Sequence, residues 1–258
     1  MPNPVTVRSG SPIIPCLEVR HGRMTEPSGM PGLADPRDPV EIARSYRQAG
    51  IEKLIVDIVD PWEWFQEFAP LVGRLADAVP ALWVVVADGY VPSLSSADAL
   101  FGAGAVAIGL STTTVRNPDT MREVAARHGP ERVLGIMNVR RVGDDRWNVF
   151  VEGGGRKTGL DAVTWAGVLT EDLGAGLVHP NSLDGEKAGT GYDLPLCRAV
   201  ADITDVPVVI GGGCATREHL YEGLVHGRAT YTVVNKATHS GAMAVGAAHD
   251  YLRRRGLM

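Results

Sequence analysis

Two neighbouring stretches near the C-terminus decide how this chain is interpreted. Val208–Ile210 is an apolar segment that runs into Gly211-Gly212-Gly213, and the next apolar segment ends in Val233-Val234-Asn235-Lys236. Glycines expose backbone N–H groups without a side chain in the way, and a helix that starts just after them adds its positive end. Two adjacent strand ends of this kind predict a cradle for a phosphate group.

Strand and helix patterns alternate along the chain. Eight apolar runs, typical of buried parallel strands, precede about eight segments with helical periodicity. This count favours a closed α/β fold, the (β/α)₈ or TIM barrel, over an open doubly wound sheet. An open sheet usually has fewer units and a glycine fingerprint after its first strand. The predicted strands are Ile13–Val19, Leu54–Val59, Ala81–Ala87, Ala105–Leu110, Val133–Val139, Gly176–His179, Pro207–Ile210 and Ala229–Val234.

One segment interrupts this alternation after the fifth predicted strand. Arg146–Val151 alternates in the manner of a strand and is followed by Glu152-Gly153-Gly154-Gly155-Arg156, which predicts an inserted β-hairpin. We expect a single barrel domain over residues 1–258, with an N-terminal extension at 1–12. The glycine cluster and Asn235-Lys236 then follow the seventh and eighth strands, where barrels commonly bind phosphate.

Composition limits the classes of function. The chain has 258 residues and a net charge of −5, which argues against a nucleic-acid-binding protein. No apolar run approaches the roughly 18 residues that a membrane span requires. Cys16, Cys197 and Cys214 are far apart and odd in number, which indicates neither a disulfide framework nor a metal site and favours a reducing cytoplasm.

Candidate catalytic residues follow the predicted strands, because barrel enzymes place their chemistry at the C-terminal strand ends. Glu18 is a candidate general acid or base, with an ordinary polar residue at the barrel rim as the alternative. Asn138 can orient a substrate or stabilise an oxyanion, or make only a structural hydrogen bond. His179 is a candidate proton carrier or a core histidine.

Other polar residues near the strand ends carry weaker signals. Asp57, Asp60 and Asp88 form an acidic group that suits a divalent metal or ribose hydroxyls, but they lack a compact ligand motif, so we predict no metal and no cofactor. Lys236 is a phosphate contact or a surface charge, with a Schiff-base lysine as the minor alternative. Cys214 is a buried thiol or a reactive one. The remaining candidates for substrate or phosphate binding are Ser111, Thr112, Asp184 and Gly185, the last two in a glycine-rich loop that either closes over the substrate or is a solvated turn.

Several of these motifs resemble two sister barrels of histidine biosynthesis, the isomerase that converts ProFAR to PRFAR and the cyclase subunit of imidazole glycerol phosphate synthase. The resemblance runs from Ile13 to about Leu252. The matching segments are Cys16–Arg23, Asp38–Glu41, Asp184-Gly185 with Gly191-Tyr192-Asp193, and Asn235-Lys236-Ala237 with Ser240-Gly241-Ala242.

This chain differs from both sisters at positions that they use for catalysis and for phosphate binding. Both sisters use two aspartates as acid and base, at the ends of strands 1 and 5, where this chain has Glu18 and Asn138. We therefore expect Glu18 to be the proton carrier, with His179 or one of Asp57 and Asp88 as the catalytic replacement for the second aspartate. A glycine pair after strand 3, part of the sisters' N-terminal phosphate site, is Asp88-Gly89 here, although Ser111 and Thr112 still offer hydroxyls. The second phosphate site is kept as Gly211–Gly213 with Asn235 and Lys236.

These departures lead to one expectation with three alternatives. We expect a diverged isomerase, cyclase or lyase that acts by acid–base catalysis on a sugar or ribosyl compound with one phosphate, in a specialised pathway. The first alternative is a cyclase-like subunit with a glutamine amidotransferase partner. The second is a non-catalytic phosphate-ligand-binding subunit. The third keeps the histidine-pathway activity with an unusual acid–base set.

Overall fold

The computed structural model describes residues 10–258, so the extension expected at 1–12 lies mostly outside the described residues. Eight of its strands pair side by side in parallel and close into a ring. The strands are β1 (Ile13–Arg20), β2 (Arg23–Met24), β3 (Lys53–Ile58), β4 (Ala81–Val86), β5 (Ala107–Leu110), β6 (Val133–Gly143), β7 (Arg146–Val151), β8 (Arg156–Asp161), β9 (Leu177–Ser182), β10 (Val209–Ile210) and β11 (Tyr231–Val234).

The ring confirms the predicted (β/α)₈ barrel. Its strand order is β1, β3, β4, β5, β6, β9, β10 and β11. β9 and β10 are joined by the bridges Val178↔Val208 and Asn181↔Gly211. Pairing of β11 with β1, with Ile13 opposite Thr232, closes the ring. All the C-terminal strand ends therefore open onto one mouth.

Helices follow the barrel strands and cover the outside of the ring. Asp38 caps the first helix by accepting a hydrogen bond from the Val40 N–H at 2.9 Å, with Pro39 at its first position. The helices are α1 (Pro39–Gln48), α2 (Phe65–Ala78), α3 (Leu94–Gly102), α4 (Thr112–Arg116), α5 (Pro118–His128), α6 (Ala162–Gly167), α7 (Leu183–Ala188), α8 (Leu194–Ile203), α9 (Arg217–Val225), α10 (Lys236–His239) and α11 (Val245–Arg253). A π-helical turn (Val168–Asp172) continues α6, and 3₁₀ turns occupy Trp62–Trp64 and Pro130–Arg132.

One predicted loop is partly helical. The polar segment after β9 contains α7, which begins after Ser182 and ends at Gly189 in the left-handed conformation. The Ser182 hydroxyl accepts a hydrogen bond from the Gly185 N–H at 3.1 Å, which is an N-cap. The segment is therefore a short, capped helix and not a fully solvated turn.

Side chains point alternately inward and outward along each barrel strand, and the inward ones fill the inside of the barrel. Inward-facing side chains form a separate apolar cluster, while the outward-facing ones pack against the helices. The inward cluster consists of Ile14, Ile55, Trp83, Val85, Ala107, Leu134, Ile136, Leu177 and Val209. Continuing the same alternation past Ile14 and Ile55 brings Glu18 and Asp57 to the mouth, opposite each other in the β1–β3 register.

β7 and β8 form the predicted hairpin after the fifth barrel strand. Trp147 anchors its base, because it is 1% exposed and its Nε1 donates to the Asp193 carboxylate at 2.8 Å. At its tip, the Glu152 N–H donates to the Thr112 hydroxyl at 3.0 Å. The hairpin therefore lies over one side of the mouth. Within residues 10–258, no helix is long and apolar enough to cross a membrane.

Candidate active site

A cavity of about 460 Å³ opens at the C-terminal ends of the barrel strands. Strand ends, the turn after β4, α7 and the segment after β10 all contribute to its wall. Its polar and charged lining residues are Cys16, Glu18, Asp57, Asp88, Ser111, Asn138, His179, Asn181, Glu186, Cys214, Asn235 and Lys236, together with Gly153, Gly189, Gly212 and Gly213. Most of the side chains that the sequence predicted to be functional therefore line this mouth.

Asp57 is the most perturbed carboxyl group in this cavity. Burial, followed by the charges of Asp88, Glu18 and Glu186, raises its pKa from 3.8 to about 7. Its Oδ1 atom is buried and has no hydrogen-bond partner within the described residues. A carboxyl group of this kind holds and releases a proton near neutral pH, as a general acid or base must.

Asp88 lies at the rim of the same cavity, in the turn after β4. Partial burial, then the charges of Glu18 and Glu152, raise the pKa of its carboxyl group. Its backbone has a φ of 60°, which is unusual for a residue with a side chain. Asp57, Asp88 and Glu18 therefore form a group of mutually repelling carboxylates.

His179 is buried and held in one tautomer. Its Nδ1 atom lies 2.5 Å from the Val209 carbonyl oxygen, so Nδ1 carries the hydrogen and Nε2 is left as an acceptor. Burial lowers the pKa of the imidazole to about 4. The ring is therefore neutral at physiological pH and suits a hydrogen-bond acceptor better than a proton donor. A Cβ on Gly211 would collide with this ring, so packing alone requires glycine there.

Two asparagines meet between β6 and β9. The Asn181 Nδ2 group donates to the Asn138 Oδ1 atom at 2.9 Å, and the two residues are also strand partners. Among residues 10–258, the Asn138 amide hydrogens and the Asn181 oxygen have no other partner, so both can bind a ligand. Sequence reasoning missed Asn181, although it continues the inward alternation of Leu177 and His179.

Gly212 and Gly213 form the wall of the cavity below α7. Both have positive φ values, 85° and 107°, and a Cβ on them would collide with the carbonyl oxygens of Ser182 and Gly191. Their backbone N–H groups have no acceptor among residues 10–258. Lys236 lines the same cavity from the end of β11. Free N–H groups beside a lysine form an arrangement able to hold a phosphate.

Cys214 follows these glycines in the same wall. Burial raises the pKa of its thiol to about 11, so the sulfur is protonated at neutral pH. Cys214 is partly exposed, and its raised pKa favours a neutral thiol over a reactive thiolate.

The corresponding backbone donors after β5 are already occupied. The N–H groups of Ser111, Thr112 and Thr113 donate to the carbonyl oxygens of Gly89, Asp88 and Gly89 at 3.0, 3.3 and 3.2 Å. A phosphate at this end of α4 would therefore have to displace the turn that contains Asp88.

The two hydroxyls at this position differ in their surroundings. The Thr112 hydroxyl donates to the Asp88 carbonyl at 3.2 Å and accepts from the Glu152 N–H, so it holds the hairpin tip and does not line the cavity. Ser111 is 2% exposed, lines the cavity, and its Oγ atom has no partner among the described residues. Of the two, only Ser111 is placed to contact a ligand.

Three acidic or loop candidates lie outside the cavity lining. Asp60 accepts a hydrogen bond from the His21 N–H at 2.7 Å and pairs with the His21 ring, so Asp57, Asp60 and Asp88 do not form one acidic group. Asp184 accepts from the Arg141 N–H at 2.9 Å. Gly185, in the first turn of α7, packs against the Gly212 carbonyl, and both residues position α7. Glu186, which sequence reasoning missed, is the acidic residue of α7 that reaches the cavity.

Comparison with known families agrees with this geometry. The family model described as histidine biosynthesis protein matches residues 12–244, which include all eight barrel strands and the strand ends that line the cavity. The family includes isomerases and cyclases of histidine biosynthesis, so the general type of enzyme follows from the match. On this evidence, the chain belongs to the histidine biosynthesis protein family.

Proposed function

We propose that this barrel is an isomerase, cyclase or lyase that acts by acid–base catalysis on a sugar or ribosyl compound carrying one phosphate, in a pathway other than histidine biosynthesis. The observation that carries the proposal is the contrast between two places where a phosphate would bind. Gly212 and Gly213 offer unoccupied N–H groups beside Lys236, whereas the N–H groups of Ser111, Thr112 and Thr113 are engaged by the turn after β4.

The charge near the N–H groups of Ser111, Thr112 and Thr113 also supports a single phosphate. Asp88 presents a carboxylate to the mouth there, and the nearest basic side chains at the hairpin tip are engaged. Arg116 and Arg156 both pair with Glu152, with nitrogen–oxygen distances of 2.5 Å. A second phosphate would meet the Asp88 carboxylate at a place where these two arginines are already paired.

Proton transfer in this proposal belongs to Glu18 and Asp57. The two residues are register partners on adjacent parallel strands, so their side chains project from the same face of the sheet into the mouth. In an isomerisation, one carboxyl group gives a proton to a carbonyl or ring oxygen, and the other removes a proton from the neighbouring carbon. Asp57, with a pKa of about 7, takes over the role of the missing second aspartate.

Asn138 and His179 contribute hydrogen bonds to this chemistry. Asn138 cannot exchange a proton near neutral pH, but its free amide hydrogens can stabilise a developing oxyanion. The Nε2 atom of His179 can accept a hydrogen bond from a substrate hydroxyl. Neither residue replaces a carboxylate as a proton carrier.

Phosphate binding is tested by calorimetric titration of the purified protein with inorganic phosphate. We expect one site, and we expect Lys236→Met to weaken binding roughly tenfold to a hundredfold, as loss of a charge-assisted hydrogen bond does. Lys157→Met, on the exposed face of the hairpin, is the matched control and should leave the affinity unchanged. Two equivalent sites, or full affinity in Lys236→Met, would contradict the proposal.

The reaction is tested by supplying ProFAR, and separately PRFAR with ammonia. We expect no efficient turnover of either compound, because the two-aspartate arrangement is absent. Efficient turnover of one of them would show that the ancestral reaction is retained. Once a substrate is found, Glu18→Gln should abolish its conversion, and full activity in that variant would exclude Glu18 as a proton carrier.

A further inference from the structure

The charges that line the cavity do not balance. Four carboxylates, those of Glu18, Asp57, Asp88 and Glu186, face it, and Lys236 is the one lysine or arginine that lines it within residues 10–258. His179 does not compensate, because burial holds it neutral. A bound phosphate occupies the charge of Lys236 and leaves the carboxylates without a counter-charge.

Two arginines at the base of the hairpin, Arg140 and Arg141, are paired with carboxylates outside the cavity lining. Arg140 lies 3.3 Å from the carboxylate of Asp184, and Arg141 lies 3.1 Å from that of Asp193. These pairs hold the base of the hairpin, as the Glu152 pairs hold its tip. Among residues 10–258, the residues that line the cavity therefore carry four carboxylates and one lysine.

Two buried polar atoms of the cavity wall also lack partners. The Asp57 Oδ1 atom and the Ser111 Oγ atom are inaccessible and form no hydrogen bond with the described residues. Leaving such a group unsatisfied costs about 1–3 kcal/mol, and a ligand with suitable donors recovers that cost. Both oxygens accept hydrogen bonds, and a carboxylate accepts most strongly from a cationic N–H donor.

We infer that the end of the substrate opposite the phosphate is a protonated amine, so that the substrate class is a phosphorylated amine such as an amino-sugar phosphate. The ammonium group lies among the carboxylates of Glu18, Asp57 and Asp88, which all line the cavity. This inference rests on the phosphate site proposed above and adds the second charged group of the ligand.

The test compares two probes that differ in one group. Aminoalkyl phosphates and hydroxyalkyl phosphates of equal chain length, over a series of lengths, are titrated calorimetrically at neutral pH. We expect the amine of the best length to bind at least about tenfold more tightly than its hydroxyl counterpart. Asp57→Asn and Glu18→Gln should each reduce this preference to about twofold or less. Lys236→Met should weaken both probes equally and leave their ratio unchanged.

The controls separate the two proposals. Retained affinity for inorganic phosphate shows that Asp57→Asn and Glu18→Gln are folded. Equal or tighter binding of the hydroxyl probes at every length overturns the amine inference and leaves the phosphate site standing. Failure of both probe series to bind contradicts the phosphate site and removes the amine inference with it.

Discussion

Replacing Asp57 by asparagine should stabilise the protein at alkaline pH while it removes a group that the chemistry needs. The unfolded chain ionises this aspartate at 3.8, whereas the folded protein keeps it protonated until about 7. Between these values the folded state binds more protons, so stability falls as the pH rises through that window and the full cost remains above it. The shift corresponds to roughly 4 kcal/mol. Because water in the cavity screens the charge, we expect about 2–4 kcal/mol.

Asparagine has nearly the same shape and carries no charge, so Asp57→Asn should recover this energy. Urea unfolding at several pH values measures the difference between the variant and the wild type. At pH above about 7 we expect the variant to be more stable by about 2–4 kcal/mol, which for a chain of this size raises Tm by roughly 5–10 °C. Near the unfolded value of 3.8 the two proteins should be equally stable.

The exposed Asp205 provides the control, and Asp205→Asn should leave stability unchanged across the range. Equal or lower stability of Asp57→Asn at alkaline pH would refute the reasoning, since it would mean that the carboxylate is not desolvated and repelled as the geometry requires. A gain that persisted unchanged to the acid end of the series would refute it as well, because the effect would then not be titration.

Three further results follow from the same structure. Gly213→Ala places a Cβ against the Gly191 carbonyl at a φ of 107°, so urea unfolding should show that the free energy of unfolding falls by several kcal/mol. Gly246→Ala in α11, which has open space around it, is the control and should change this free energy by at most about 1 kcal/mol. Equal effects of the two substitutions would contradict the close approach of Gly213 to Gly191. Thr112→Val removes both hydrogen bonds of that hydroxyl and should lower the unfolding free energy by about 1–3 kcal/mol without altering the Kd for inorganic phosphate, and a changed Kd would place the hydroxyl in a binding site. Nitrogen NMR shifts should show His179 as the neutral Nδ1–H tautomer down to about pH 5, and a titration step near 6.5 would contradict its burial.

The barrel was predictable because each strand can be recognised from its own stretch of sequence. Parallel strands that are buried on both faces need continuous apolar runs, and eight such runs allow few other arrangements. The hairpin was predictable for a similar reason, since alternation in Arg146–Val151 and the glycine turn after it are local signals. Both features depend on residues that are close together in the sequence.

The C-terminal boundary of β9 was harder to predict from the sequence. Pro180 cannot donate to a strand ladder and usually marks a strand end, so the predicted strand stopped at His179. In the barrel, the Pro180 carbonyl instead accepts from the Gly211 N–H at 3.2 Å, and the strand continues to Asn181 and Ser182. The helix α7 was missed because six residues are too few to show a helical period.

The engaged donors after β5 were beyond sequence reasoning. They depend on the turn at Asp88 and Gly89, which follows a different strand from the one that precedes Ser111. In the sequence, the only sign that this phosphate site is lost was Asp88 in place of a glycine. Likewise, the glycine cluster predicted a phosphate cradle, but the N–H group of Gly211 donates to Pro180, and this glycine instead makes room for the ring of His179.

The central claim is that this barrel keeps one phosphate site, at the ends of β10 and β11, and has closed the other. The most direct measurement is a crystal structure of the protein grown with inorganic phosphate. We expect a phosphate bound to the N–H groups of Gly212 and Gly213 and to Lys236, with the turn at Asp88 still covering Ser111. A phosphate bound at the start of α4, with that turn displaced, would contradict it.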